Sequence, residues 1–157
     1  SKNFSRDLDY VNHTLVKFYE LGFKFKYGLI LRPTSPLRHE NYLNNAYKLF
    51  KKNRHFDSMR AIIEAKKTPY KMWFKSNSVI KPVLKSKIKE HYNAPRQILP
   101  KVFWQTGNFE FFRIKFKFSL KSISGKKICG FNINEKYSID IDNSQDIKIA
   151  EKNLKLI

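Results

Sequence analysis

Two carboxylates stand two positions apart near the end of the sequence, in Ser138-Ile139-Asp140-Ile141-Asp142. On an extended strand, residues two apart point to the same side. Asp140 and Asp142 would then present their oxygens together. Neighbouring carboxylates repel unless a cation or proton joins them. Mg²⁺ takes oxygen ligands, often one or two carboxylates plus phosphate oxygens. The implied chemistry is metal-assisted handling of a phosphate group. The bland alternative is an exposed strand end with Asp142 capping the next helix.

Three further segments offer groups for an anionic or hydroxylated ligand. In Leu31-Arg32-Pro33-Thr34-Ser35-Pro36-Leu37-Arg38 two prolines fix the backbone. Arg32 and Arg38 supply forked donors for carboxylate or phosphate, and Thr34 and Ser35 supply hydroxyls. The same residues could simply form a rigid turn that caps a helix. In Arg96-Gln97-Ile98-Leu99-Pro100, Arg96 could clamp an anion and Gln97 could read a hydroxyl or amide. A solvated loop charge is the ordinary alternative. In Phe103-Trp104-Gln105-Thr106-Gly107-Asn108-Phe109-Glu110, Gly107 permits a close approach or a bulge. Glu110 among so many aromatics is costly to bury unless paired. The four histidines are scattered without metal-ligand spacing, and Cys129 reads as a small core residue.

The elements that must position these groups follow from periodicity. Ser5 can cap a helix over 6–21, with Leu8, Val11, Leu15 and Phe18 at helical spacing and Gly22 ending it. Residues 27–32 form a short unbroken apolar run, which suits a strand buried on both faces. A helix follows at 40–52 and a strand at 56–65. The alternation of helix and strand predicts a parallel sheet covered by helices. Residues 70–76 and 78–84 read as a hairpin around Asn77. The polar stretch 85–93 is expected to be mobile. Residues 102–113 read as extended but broken at Gly107, and 127–132 and 137–141 as strands. A last helix over 145–156 should turn Ile147, Ala150 and Leu154 inward.

Composition bounds the class. The 157 residues suffice for one domain with a real core. No apolar run approaches the roughly 20 residues that cross a bilayer, so no membrane role is expected. A single cysteine excludes an internal disulfide and fits a reducing, cytoplasmic setting. The net charge of +19 raises the question of nucleic acid. The lysines are spread along the chain without a dense basic run, however, so nucleic-acid binding is not the expected role. The first residue is Ser rather than Met, which reads as a processed or truncated product.

Taken in order, six segments resemble the acylneuraminate cytidylyltransferases. These are the CMP-sialic acid synthetases and their relatives for legionaminic and pseudaminic acids. The segments are Arg-Pro-Thr-Ser-Pro-Leu-Arg at 32–38, Glu-Ala-Lys-Lys-Thr-Pro-Tyr-Lys at 64–71, Arg-Gln-Ile-Leu-Pro at 96–100, Trp-Gln-Thr-Gly at 104–107, Ser-Gly-Lys-Lys at 124–127 and Ser-Ile-Asp-Ile-Asp at 138–142. The resemblance covers nearly the whole chain. It implies an α/β fold: a three-layer α/β/α, Rossmann-like sheet of the nucleotide-diphospho-sugar transferase type. A small lobe, at about 70–102 and again at 119–127, would serve homodimerisation. The implied reaction transfers CMP from CTP to the anomeric hydroxyl of a nine-carbon acidic sugar and releases pyrophosphate. By the same resemblance Asp140 and Asp142 would hold Mg²⁺, and Arg32, Lys71 and Arg96 would line the sugar site. Ser35, Gln97 and Glu110 join them as candidate substrate contacts.

The sequence departs from that pattern in three places. The glycine-rich loop that opens such enzymes has no counterpart here, so this chain is expected to lack most of the CTP site and to be inactive alone. Position 32 is often Gln in the neuraminate enzymes and is Arg here. Position 110 often carries Tyr there, and the acidic residue looks closer to the legionaminate-type branch. The alternative reading is a non-catalytic basic module that binds a sugar nucleotide or a nucleic acid.

Overall fold

The computed structural model describes residues 6–115 and 119–155. In chain order its elements are α1 (Asp7–Glu20), β1 (Tyr27–Ile30), α2 (Glu40–Lys52), β2 (Ser58–Glu64), β3 (Trp73–Ser76), β4 (Val79–Pro82), β5 (Phe103–Arg113), β6 (Ile128–Asn132) and α3 (Ser144–Leu154). The fold is mixed α/β. The chain divides into two compact units, one built from residues up to Ile62 and from Gln105 onward, the other from Ile63–Trp104.

The first unit carries a four-stranded sheet in the order β1-β5-β2-β6. β2 and β6 are parallel, with Ser58 opposite Ile128. β1 and β5 are antiparallel, with Ile30 opposite Glu110 and Tyr27 opposite Arg113. The sheet is therefore mixed, where the alternation of elements predicts a parallel one. Hydrophobic periodicity marks a strand but not its direction, because either ladder accepts the same pleat.

Consecutive side chains of β5 meet different helices, as the pleat requires. Phe112 packs with Val11 of α1 and with Ile30, flanked by Leu8 and Leu15. Phe111 meets Phe50 and Tyr47 of α2 at ring distances of 6.1 Å. The Arg113 guanidinium lies 4.5 Å from the Phe50 ring. It also donates to the carbonyls of Phe50, Asn53 and Phe56. One side chain thereby fixes the end of α2 to β5.

Several sequence expectations need correction. The proposed cap Ser5 lies outside the described residues, and the N-cap of α1 is Arg6, whose N–H donates to Asp9 Oδ2 at 3.1 Å. Gly22 ends the helix region as expected, at φ 84°. β1 is buried on one face only. Ile30 is buried while Leu29 and Leu31 remain exposed. β1 is the edge strand of the sheet, and on the Leu29 face Tyr27 packs against Tyr47 and Phe50 of α2. β5 runs unbroken through Gly107. The expected strand at 137–141 does not form. A 3-10 turn occupies Glu135–Tyr137, capped by Asn134, and 138–143 are irregular up to α3. The Tyr137 ring anchors this turn against His39 and Tyr42. α3 is capped by Asn143, which accepts from the N–H groups of Gln145 and Asp146. Ala150 is its buried residue, whereas Ile147 and Leu154 face outward.

The second unit holds the β3–β4 hairpin, with Asn77 at φ 52° in the turn. Every residue of both strands is exposed. Within the stretch 85–93 the chain turns at 89–93. It buries His91 between Tyr70 and Tyr92.

Candidate functional site

The first unit gathers four of the sequence candidates in a polar cluster. Arg32 and Ser35 come from the loop after β1, Glu110 from β5, and Asp140 from the irregular segment before α3. Pro33 and Pro36 set this loop, and Ser35 N–H closes it on the Arg32 carbonyl at 3.1 Å. Arg38 braces it from behind, donating to the Arg32 carbonyl at 2.6 Å and to the Asn108 carbonyl at 2.8 Å. Burial lowers the pKa of the Arg38 guanidinium below its usual value.

Gly107 lets the loop come close. A Cβ there would collide with Ser35 Oγ and sit 3.1 Å from Arg32 Cδ. Asn108, fully buried, donates to the carbonyls of Leu37 at 2.7 Å and Tyr137 at 2.9 Å. One amide thus joins the Arg32–Arg38 loop to the turn that leads to Asp140. Ser35 Oγ donates to Asp140 Oδ1 at 3.3 Å, and Ile141 N–H donates to the Thr34 carbonyl at 2.7 Å.

Glu110 is buried and paired, which answers the cost of burying it. Its Oε1 lies 3.4 Å from Arg32 Nη2 and accepts from Gln105 Nε2 at 3.2 Å. Its Oε2 lies 3.4 Å from Arg60 Nη2. Arg32 also pairs with Asp7 at the start of α1. That hydrogen bond raises the Arg32 pKa, against an opposing effect of burial. Burial, and then the nearby Asp7 charge, pushes the Tyr10 phenol up. Asp7, Arg60, Glu110, Lys121, Ser122 and Ser124 line a cavity of about 430 Å³.

Ser124 sits in a loop that Asp57 pins. The Asp57 carboxylate accepts from the N–H groups of Lys126 at 2.9 Å and Lys127 at 3.0 Å, and pairs with Lys115. These partners, Lys115 first, hold its pKa well below the usual carboxylate range. Gly125 makes the turn at φ 68°.

Asp140 and Asp142 do not lie on a strand, so the alternation that would have aligned them does not operate. Both are exposed, and among the described residues neither is paired with a cation. Asp142 N–H is engaged by Asp146 at 3.0 Å. As carboxylates, both carry the oxygen ligands that a hard divalent cation takes. Among the described residues no group of three or more His, Cys, Asp or Glu is placed to hold a metal.

The remaining candidates belong to the second unit. Arg96 donates to the Ala65 carbonyl at 2.6 Å. With Gln97, Glu64 and Thr68 it lines a cavity of about 220 Å³. Lys71 ends the 3-10 turn Pro69–Lys71 and is exposed.

Sequence reasoning missed Asp7, Arg60 and Asn108. Asp7 looks like ordinary helix-start charge. Arg60 carried a usable signal, since an arginine inside an apolar strand must find partners.

Comparison with protein-family models finds none that matches this chain, and comparison with curated proteins finds no significant relative. Among the described residues no helix is long and apolar enough to cross a membrane.

Proposed function

We propose that the cluster around Arg32, Ser35, Glu110 and Asp140 is the acidic-sugar side of a nucleotidyltransferase site. The reaction is attack of the anomeric hydroxyl of a nine-carbon acidic sugar on the α-phosphate of CTP, with pyrophosphate leaving. One observation carries the reading. The Arg-Pro-Thr-Ser loop, the Trp-Gln-Thr-Gly strand and the acidic segment at 138–142, far apart in sequence, are hydrogen-bonded into one cluster. These are three of the six motif-bearing segments of the cytidylyltransferase resemblance.

Phosphoryl transfer asks a protein chiefly for positioning and charge neutralisation. Arg32, partly exposed and forked, suits the sugar carboxylate. Ser35 orients Asp140. Asp140 and Asp142 would hold Mg²⁺, whose contribution is to neutralise charge on the phosphate oxygens. The three-layer arrangement, and dimerisation through the lobe at about 70–102 and 119–127, belong to this proposal as well.

Calorimetric titration of the chain tests it, with a panel of nine-carbon acidic sugars, CTP and Mg²⁺. At least one acidic sugar should bind, and Arg32→Ala should remove that binding. Absence of sugar binding overturns the reading. Salt-sensitive binding of single-stranded oligonucleotides in its place would favour the basic-module alternative.

A further inference from the structure

Arg60 belongs to β2 and was not among the residues the motifs singled out. Its guanidinium reaches three partners on two segments. Nη1 donates to Gln105 Oε1, and Nη2 donates to Ser124 Oγ at 2.6 Å. Nη2 also lies 3.4 Å from Glu110 Oε2. Gln105 in turn donates to the other oxygen of Glu110 at 3.2 Å, closing a ring. Among the described residues the buried Arg60 Nε has no hydrogen-bond partner. A buried orphan donor costs stability.

Glu110 stands between two guanidiniums of different standing. The Arg60 side chain is 20% exposed and that of Arg32 is 34% exposed. Arg32 already has a carboxylate partner, Asp7, through the same Nη2 that faces Glu110. Among the described residues its Nε and Nη1 donate to nothing. Without Arg60, the buried Glu110 charge would have Arg32 as its remaining cationic partner. It would draw that guanidinium inward, because a buried carboxylate without a counter-charge is costly.

We propose that Arg60 is a positioning residue of this site: it shares the Glu110 charge with Arg32 from the more buried side and so leaves the Nε and Nη1 edge of Arg32 to hold an anionic group of the ligand. The proposal rests on the sugar-acid reading above. It adds that preference for a carboxylated over a neutral ligand is set by a residue that does not touch the ligand.

The test compares binding of a nine-carbon acidic sugar with binding of its neutral methyl ester. The proteins are the wild-type chain, R60Q, R60K and R60Q/E110Q. R60Q should lose the preference for the acid by on the order of tenfold or more, since misplacing one binding group has effects of that size. R60K keeps the charge and should retain the preference. R60Q/E110Q removes both members and should recover it. A merely structural role would lower the melting temperature and both affinities together and leave their ratio alone. An unchanged ratio in R60Q overturns the proposal, as does a ratio lost equally in R60K and in the double variant.

The Arg32 Nε–H signal in a ¹⁵N spectrum supplies an arm that needs no ligand. It should move in R60Q and return in R60Q/E110Q. If the wild type itself shows no preference for the acid, the sugar-acid reading fails, and this signal still decides the coupling. A signal unmoved in R60Q rejects it.

Discussion

Ser35 Oγ donates to Asp140 Oδ1 at 3.3 Å, across 105 positions of the sequence. Ser35 is itself 1% exposed, so its hydroxyl has little alternative in solvent. Ser35→Ala should cost about 1 kcal/mol of stability, the net worth of an ordinary hydrogen bond. It should weaken Mg²⁺ affinity by about 10-fold, as loss of a partner that orients a ligating carboxylate does. Urea unfolding and Mg²⁺ titration measure the two effects separately.

Gly107→Ala probes the close approach between β5 and the Arg32 loop. The added methyl meets Ser35 Oγ and Arg32 Cδ. Overpacking of this kind costs about 1–3 kcal/mol. The larger effect should fall on binding, because both displaced side chains belong to the site. An Ala variant with wild-type stability and wild-type sugar affinity contradicts the close approach.

Asn108→Leu should be among the most destabilising changes in the first unit. It strands the carbonyls of Leu37 and Tyr137 in a fully buried position. Each unsatisfied buried group costs about 1–3 kcal/mol. A loss of at least about 2 kcal/mol in chemical denaturation is expected.

Particular residues show what the sequence disclosed and what it withheld. α2 was legible to the residue because Leu43, Tyr47 and Phe50 fall on one side of a helix over 40–52. The hairpin at Asn77 was legible because the turn needs a positive φ that asparagine tolerates. The direction of β5 was not legible, since antiparallel and parallel strands share a side-chain period. The strand expected at 137–141 failed because Tyr137 finds its burial against His39 and Tyr42 at a turn. In the site, Arg32, Ser35, Glu110 and Asp140 were chosen one segment at a time. Their association depends on Asn108 and Gly107, whose roles are tertiary. Arg60 could have been suspected from the cost of an arginine inside an apolar strand, but its partners could not.

Asp57 gives a pH dependence with a definite sign. Its folded-state pKa is depressed below the unfolded value. Its contribution is therefore present above the unfolded carboxylate range, near pH 4, and is lost as pH falls through the folded value. Asp57→Asn should lower the melting temperature at pH 6, and the gap to the wild type should narrow as pH falls below about 4. A gap that widens in acid contradicts the pinning of the Ser124 loop by an ionised Asp57.

Pyrophosphate release tests the central claim most directly, measured in the protein as its gene encodes it, with CTP, Mg²⁺ and a nine-carbon acidic sugar. The wild type should release pyrophosphate only when the sugar is present. Asp140→Asn should reduce that release by more than about 100-fold, beyond the loss seen when an outer partner of a metal ligand is removed. Release that persists in Asp140→Asn, or release independent of the sugar, contradicts the account.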